Sequence, residues 1–195
     1  MHRLAVLSEP RYIDAVARVL MRVAWALADA HAVKVVHCDV KPANILLDRS
    51  NEERTYLIDF GMGRDLDAMP RSTSESRAGT VLYMAPEKLL GGQVEEVLCD
   101  VYALGATAFE AFALKPPRVV PEDLPRSLWA RYLAEAEPPR PRTILPRLPE
   151  GLERILVRAL AQDPQRRYSS AGAMAGDLER FLSGAQSRSG QGSFD

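Results

Sequence analysis

The sequence predicts a mainly α-helical domain, a helix bundle with short β-hairpins that carry two polar loops. Apolar residues recur at three- and four-residue steps near the beginning of the chain and through its second half, as they do in helices that bury one face. Three short β-prone runs lie between these regions, separated by turn-forming or charged residues. A chain of 195 residues, of which 47% are hydrophobic, is long enough to form one domain around its own core.

The first helix is predicted over residues 11–31. Its apolar positions form one stripe, namely Ile13, Val16, Leu20, Val23 and Leu27. The β-prone runs follow at residues 34–36, 45–47 and 55–58, and we expect them to hold two loops side by side. Residues 61–78 are rich in polar side chains and contain few large apolar ones, so we expect a mobile loop there.

The second half of the chain is predicted to be a helix bundle. The apolar spacing favours helices over residues 86–90, 98–114, 128–136, 151–161 and 171–182. Repeated prolines between residues 115 and 149 exclude long helices there, except in the short window around Trp129. Residues 183–195 are rich in Ser, Gly and Gln, which favours a flexible tail.

Charge and cysteine content argue against several classes of function. The chain has 25 Lys+Arg against 26 Asp+Glu, so no long-range field favours nucleic acid or an anionic membrane. The apolar stretch 97–114 contains Asp100 and Glu110, which would be costly in hydrocarbon, and we therefore expect a buried core helix and no membrane segment. Cys38 and Cys99 are too few for a disulfide framework, and no secretory signal is found near Met1, so we expect a cytoplasmic protein.

The residues that carry chemistry are concentrated in two segments. Residues 37–47 read His-Cys-Asp-Val-Lys-Pro-Ala-Asn-Ile-Leu-Leu, and Asp59-Phe60-Gly61 follows after the next β-prone run. Phosphoryl transfer needs a group that orients or deprotonates the attacking hydroxyl, oxygen ligands for Mg2+, and a cation near the transferring group. The two segments supply all three, and flanking strands would hold them rigidly on adjacent loops.

These segments resemble the signature motifs of bacterial-type, eukaryotic-like serine/threonine protein kinases. HCDVKPAN resembles the catalytic loop, DFG resembles the magnesium-binding triplet, and Ala85-Pro86-Glu87 resembles the triplet that closes the activation segment. The resemblance implies the large, C-terminal lobe of a protein kinase over residues 1–182, followed by the tail. Its implied parts are the helix 11–31, the catalytic loop 37–47, the activation segment 59–87 and a helical subdomain over 97–182.

The resemblance also implies roles for individual side chains. Asp39 would orient or deprotonate the substrate hydroxyl, and Asn44 and Asp59 would hold the Mg2+ of Mg-ATP. Lys41 would lie beside the γ-phosphate. Lysine at this place, together with Thr80, resembles the serine/threonine class, so the implied partner is a protein with a serine or threonine acceptor that Thr80 would help to bind.

Four further residues are implied to support the loops. His37 would be a hydrogen-bonded core residue and not an acid or base, and Phe60 and Gly61 would complete the magnesium-binding triplet. Asp100 resembles the aspartate that opens the buried central helix of the lobe and braces the catalytic loop. We therefore expect these residues to shape the site without taking part in the chemistry.

The end of the activation segment is expected to be fixed by an ion pair. Glu87 would pair with an arginine of the segment 163–168, and the family spacing favours Arg167 over Arg166. Cys38 stands where many such kinases carry an arginine that grips a phosphorylated loop, and a thiol offers no such contact. Phosphorylation within residues 72–76 and a redox role for Cys38 are both less favoured than a solvated loop and an inert thiol.

The small lobe of a complete kinase is expected to be absent. Only thirty-six residues precede His37, and no G-x-G-x-x-G occurs among them. Without the lysine and the lid that clamp ATP, this chain should be weakly active or inactive alone. The surface that meets the small lobe would be exposed, which invites a separate small lobe or another partner.

Three interpretations remain open. The favoured one is a truncated serine/threonine kinase whose small lobe is encoded upstream; the others are a pseudokinase-like binding or scaffold lobe and a gene remnant. Small-molecule kinases that act on aminoglycosides or choline share the H-x-D-x-x-x-x-N loop. They generally lack the Ala-Pro-Glu closure, so a protein substrate is favoured.

Overall fold

The computed structural model describes residues 9–48, 54–60, 64–65, 80–91 and 94–189 of the chain. The helices within this part are α1 (Pro10–Ala32), α2 (Pro86–Leu89), α3 (Glu96–Ala113), α4 (Trp129–Glu135), α5 (Pro141–Ile144), α6 (Glu150–Ala159) and α7 (Ala171–Ser189). The strands are β1 (Val35–Val36), β2 (Ile45–Leu47), β3 (Thr55–Leu57) and β4 (Arg64–Asp65). The mainly α-helical class predicted from the periodicity is thus confirmed.

Helix α1 buries the stripe that its sequence predicted. Pro10 occupies the first turn, where its missing N–H has no intrahelical acceptor to lose. Ile13, Leu20, Val23 and Leu27 are all buried, and the helix packs mainly against α7 and α3. The burial of this stripe fixes the end of α1 next to β1, immediately before the catalytic loop.

The central helix α3 is surrounded by the other helices of the bundle. Its sequence is apolar on nearly all sides, which is the pattern of a helix buried in a protein core. Gly105 permits a close approach to α6, because a Cβ atom there would lie 2.8 Å from the Cβ of Ala159. No helix in the described part of the chain is long and apolar enough to cross a bilayer.

The strands form two separate antiparallel pairs. β2 pairs with β3 so that Ile45 faces Leu57, and β1 pairs with β4 so that Val36 faces Arg64. The second pair corrects an expectation, because β4 lies within the stretch 61–78 that was predicted to be a loop throughout. Two residues give no periodicity to detect, and their strand geometry depends on backbone hydrogen bonds to β1, which is distant in sequence.

The structure also has one short helix that was not predicted and one helix that ends later than predicted. The short helix α5 lies within the proline-rich stretch, where Pro141 occupies its first turn and is therefore compatible with helix. Helix α7 continues to Ser189, past residue 182, where the flexible tail was predicted to begin. Serine and glycine lower helix propensity only modestly, so a helix already nucleated by packing against α1 can extend through them.

Candidate active site

The backbone of the catalytic loop is held by one buried carboxylate. Asp100, in the first turns of α3, is 1% exposed. Its Oδ2 accepts a hydrogen bond from the backbone N–H of His37, and its Oδ1 accepts one from that of Cys38, both at 2.8 Å. Charge-assisted bonds of this kind are among the stronger ones, so α3 positions the loop that carries Asp39.

His31 also contacts this carboxylate, although sequence reasoning did not single it out. It lies in the last turn of α1, and its Nε2 lies 3.0 Å from Oδ2 of Asp100. The signal that could have identified it is its spacing, since His31 continues the buried stripe of Leu20, Ala24 and Leu27 at steps of three and four. A polar residue on an apolar face needs a buried partner.

His37 connects the catalytic loop to the loop that follows β3. Its Nε2 donates to the carbonyl of Ile58 at 2.9 Å, and its Nδ1 accepts from the backbone N–H of Asp39 at 3.2 Å. The imidazole also lies 4.5 Å from the ring of Phe60, with the two planes tilted by 58°. Both ring nitrogens are therefore occupied by the protein itself, as expected for a supporting residue.

Two residues at the site have a left-handed backbone. Cys38 and Asp59 both have a backbone φ of 67°, in a region that residues other than Gly, Asn and Asp rarely occupy. Cys38 is kept there by the bond from its N–H to Asp100, while the following N–H is bound to His37. The backbone turns sharply at each residue, immediately before Asp39 and at the start of the DFG triplet.

Asp39 has one carboxylate oxygen held by the protein and one without a hydrogen-bond partner among the described residues. Its Oδ2 lies 2.7 Å from the Nζ of Lys41 and 3.2 Å from the Nδ2 of Asn44. Asn44 also donates to the backbone carbonyl of Asp39 at 2.8 Å, which fixes the loop around the carboxylate. Among the described residues, the buried Oδ1 has no hydrogen-bond donor.

Lys41 links the catalytic loop to the end of the activation segment. Besides Asp39, its ammonium group donates to the hydroxyl of Thr80 at 3.0 Å. Thr80 is buried and begins a short 3₁₀ turn, Thr80–Leu82. The structure thus brings together Asp39, Lys41 and Thr80, which lie up to 41 residues apart in the predicted set.

The DFG triplet lies beside Asn44 through a backbone contact. The N–H of Ile58 donates to the carbonyl of Asn44 at 2.9 Å, so Asp59 follows immediately after the point where the two loops meet. Asp59 is exposed, whereas Asn44 is buried. Because the amide nitrogen of Asn44 donates to Asp39, its amide oxygen is the atom that faces away from those bonds. Gly61 lies outside the described residues.

The end of the activation segment is fixed by Glu87 and Arg167. The two guanidinium nitrogens lie 2.7 and 2.8 Å from the two carboxylate oxygens, a bidentate pair. The arginine side chain is fully buried and also donates to the carbonyls of Leu98, Ala161 and Gln162. Arg166 is exposed, so the structure has the pairing that the family spacing favoured.

The thiol that follows His37 lies in a charged setting but is not activated. The Sγ of Cys38 is 3.6 Å from a carboxylate oxygen of Glu96, which also forms a 2.6 Å ion pair with Lys88. Burial is the main cause that raises the pKa of Cys38 to about 11; Lys88 opposes it, and the carboxylates of Glu96 and Asp100 add to it. A thiol of this kind stays protonated near neutral pH, which supports the inert interpretation.

The Glu87 carboxylate should make stability depend on pH in the acid range. Burial raises its pKa, but the hydrogen bonds and charge of Arg167 lower it by more, and the net pKa lies below its ordinary value. The pair therefore stabilises the fold fully above about pH 4.5 and loses this contribution as the pH falls through the folded-state pKa. Urea unfolding of the unchanged chain and of Glu87→Gln should show a stability difference that shrinks in acid. A difference that stays constant down to about pH 3 would contradict this assignment.

Comparisons with known proteins agree with this arrangement of loops. The family model of the protein kinase domain matches residues 5–178. The serine/threonine-protein kinase Pkn1 of Myxococcus xanthus is 38% identical over 176 residues, which make up 89% of this chain and 25% of that protein. A second protein of that species, the tyrosine-protein kinase MasK, is 35% identical over 186 residues, 91% of this chain and 28% of that protein.

A solved structure shows the same fold. The kinase domain of Mycobacterium tuberculosis PknI superimposes with a TM-score of 0.63 at 30% identity, and the match covers 86% of this chain and 55% of that domain. The chain therefore spans about a quarter of the length of the curated relatives it matches and about half of that kinase domain.

Proposed function

The chain belongs to the protein kinase family, and we propose that it transfers the γ-phosphoryl group of ATP to serine or threonine hydroxyls of proteins. The observation that supports this proposal most directly is the hydrogen bonding of the Asp39 carboxylate. One of its oxygens is fixed by Lys41 and Asn44, and the other is buried without a donor among the described residues. An acceptor hydroxyl would complete the hydrogen bonding of that oxygen and be oriented for attack.

The neighbouring cation supports the same chemistry. Lys41 lies between the carboxylate of Asp39 and the hydroxyl of Thr80, so its charge is held where an acceptor and a phosphoryl group would meet. A fixed cation there would offset negative charge that develops on the transferring group. We assign Asp39 and Lys41 as catalytic residues, and Thr80 as a residue that binds the substrate segment.

The residues present also fit Mg-ATP. Mg2+ prefers oxygen ligands and is commonly bound through one or two side chains together with phosphate oxygens. The amide oxygen of Asn44 and the exposed carboxylate of Asp59 provide that donor set on adjacent loops, and Lys41 provides a contact for phosphate. When bound, Mg-ATP supplies the phosphoryl group and a charge that neutralises its oxygens.

Binding of Mg-ATP provides the first test. Calorimetry should show weak binding to the unchanged chain and a loss of most of the heat in Asp59→Ala, because a carboxylate ligand of the metal is removed. The matched control is Asp123→Ala, an exposed aspartate in the segment between α3 and α4. Equal heats from the chain and Asp59→Ala would refute the assignment of Asp59.

The acceptor class is tested separately. The contact between Lys41 and Thr80 supports serine and threonine, whereas one relative of similar identity is named a tyrosine kinase. Phosphoamino-acid analysis of a phosphorylated general protein substrate should give phosphoserine and phosphothreonine. Phosphotyrosine as the main product would overturn the proposed class.

The outer face of the β2–β3 pair indicates a partner. Leu46, Tyr56 and Ile58 are exposed on it, Leu47 is exposed at the end of β2, and Phe60 follows β3. An apolar cluster of this size next to a polar site is typical of a surface that another protein unit covers. We propose that a small lobe covers it and completes the ATP site, so that the chain alone is weakly active or inactive.

The same surface supports the second candidate, a binding or scaffold lobe without catalysis. Both candidates need a partner on the β2–β3 pair, but only the kinase needs Asp39 and Asp59 for its effect. Substituting either aspartate distinguishes the two candidates, since a scaffold would keep its partner and its cellular effect.

The two cysteines, which are free thiols, and the need for ATP support a cytoplasmic location.

A further inference from the structure

Arg118 is a buried arginine in the proline-rich stretch after α3, and no sequence pattern singled it out. It is 3% exposed. Its Nη1 donates to the carbonyl of Leu133 in α4, and its Nη2 donates to the carbonyl of Met84, next to the Ala-Pro-Glu triplet. One guanidinium group therefore ties the end of the activation segment to a helix on the other side of the stretch.

Arg118 and Arg167 hold the two ends of the same short segment. Arg167 binds the carboxylate of Glu87, while Arg118 binds the carbonyl of Met84. Both guanidinium groups also lie over the ring of Tyr102 in α3, at 5.0 Å for Arg118 and 4.8 Å for Arg167. Residues 84–87 are thus fixed to the central helix through two cations and one aromatic ring.

Burying the charge of Arg118 has a desolvation cost that its contacts offset only in part. Burial is the main cause that lowers its pKa; Tyr102 opposes this, Arg167 adds a smaller lowering, and Glu87 a small opposing effect. Within the described part of the chain its Nε has no hydrogen-bond partner, and no carboxylate forms an ion pair with it. An apolar side chain of similar volume commonly stabilises such a place as well or better.

The carbonyl that Arg118 holds is connected to the active site through a single turn. The N–H of Met84 donates to the carbonyl of Val81 at 3.3 Å, and that of Tyr83 donates to Thr80 at 3.1 Å. Thr80 in turn accepts from Lys41, which contacts Asp39. A displacement of the Met84 carbonyl would therefore move the hydroxyl of Thr80 relative to the carboxylate of Asp39.

We propose that Arg118 is a positioning residue for residues 80–84, and that by holding the Met84 carbonyl it sets where an acceptor peptide lies relative to Asp39. This inference rests on the proposed phosphorylation of proteins. Arg118 acts through the backbone and touches neither the hydroxyl nor the phosphoryl group. Its removal should weaken the use of the acceptor peptide and leave the use of ATP unchanged.

Hydrogen exchange tests the contact without any need for activity. In Arg118→Met, the amides of Tyr83 and Met84 should exchange at least about tenfold faster, while amides in the middle of α3 and α6 keep their rates. Arg126→Met is the matched control, because Arg126 lies over the ring of Trp129 at 5.5 Å but is exposed. Unchanged exchange at Tyr83 and Met84, or equal acceleration throughout the helices, would overturn the proposal.

Kinetics test the consequence in the chain or in a longer natural protein that contains it. Arg118→Met should raise the KM for an acceptor peptide by about tenfold with the KM for ATP unchanged. Arg118→Lys keeps the positive charge and is the variant to measure if Arg118→Met does not fold. Its KM for the acceptor peptide, and its exchange rates at Tyr83 and Met84, should lie between those of the unchanged protein and those expected for Arg118→Met. A normal peptide KM in an active Arg118→Met would refute this inference alone. Faster exchange at Tyr83 and Met84, with no phosphoryl transfer by the unchanged chain or by the longer protein, would refute the proposed function and leave the contact of Arg118 supported.

Discussion

Replacing Asp39 with asparagine should lower the rate of phosphoryl transfer by about 10²–10⁴-fold, the usual contribution of a general base. Asparagine has the same shape and can still accept hydrogen bonds from Lys41 and Asn44. It loses the negative charge that attracts the acceptor proton to Oδ1, which has no hydrogen-bond partner in the part of the chain that the structure describes. The effect should therefore appear in kcat, with little change in fold.

The measurement is the initial rate of phosphate incorporation into a protein substrate, in the chain and in any longer natural protein that contains it. Asp123→Asn provides the matched control, because this aspartate is exposed and distant in sequence from the loops. A rate for Asp39→Asn equal to that of the control would remove Asp39 from the catalytic set. No transfer by the unchanged protein in either form would favour the binding lobe.

Replacing Arg167 with methionine should destabilise the fold by about 3–5 kcal/mol, the usual cost of breaking a buried ion pair from one side. The variant leaves the Glu87 carboxylate without its bidentate partner. It also removes the donors to three backbone carbonyls in the same region. Unfolding in urea, followed by circular dichroism, measures the change.

An exposed ion pair of similar length provides the control for Arg167. Arg154 lies 2.6 Å from Glu150, but both side chains are more than 60% exposed. Arg154→Met should therefore cost less than about 1 kcal/mol. The double variant Glu87→Gln with Arg167→Met should recover part of the loss, because no buried charge is left unpaired. If Arg167→Met and Arg154→Met lowered the free energy of unfolding equally, burial would not be what makes the Arg167 pair strong.

Local pattern alone was enough to predict most of the secondary structure. Helix α1 was predicted within a residue of its bounds because its burial is periodic, and α3 was recognisable because its apolar residues leave no solvent face. The strands β1, β2 and β3 were predicted from short β-prone runs between turn residues. The strand β4 and the end of α7 were not, since each depends on a neighbour that is distant in the sequence.

Part of the candidate site was also accessible from sequence. The resemblance of residues 37–47 and 59–61 to kinase motifs identified Asp39, Asn44 and Asp59. The structure adds contacts that no motif contains, such as the hydrogen bond between Lys41 and Thr80 and the contact of His31 with Asp100. The catalytic and metal-binding roles of these residues stay predictions until the variants are measured.

The order and chemistry of the residues, which are local properties of the chain, were enough to indicate the family and a set of candidate site residues. Tertiary structure alone decided which atoms of that set are already hydrogen-bonded. One oxygen of Asp39 is bound because Lys41 and Asn44 converge on it, while the other has no partner within the described ranges. Arg118 reaches Met84 only because the helices pack as they do. Hydrogen bonds between residues distant in sequence depend on three-dimensional distance and burial, and neither quantity is encoded in residue spacing.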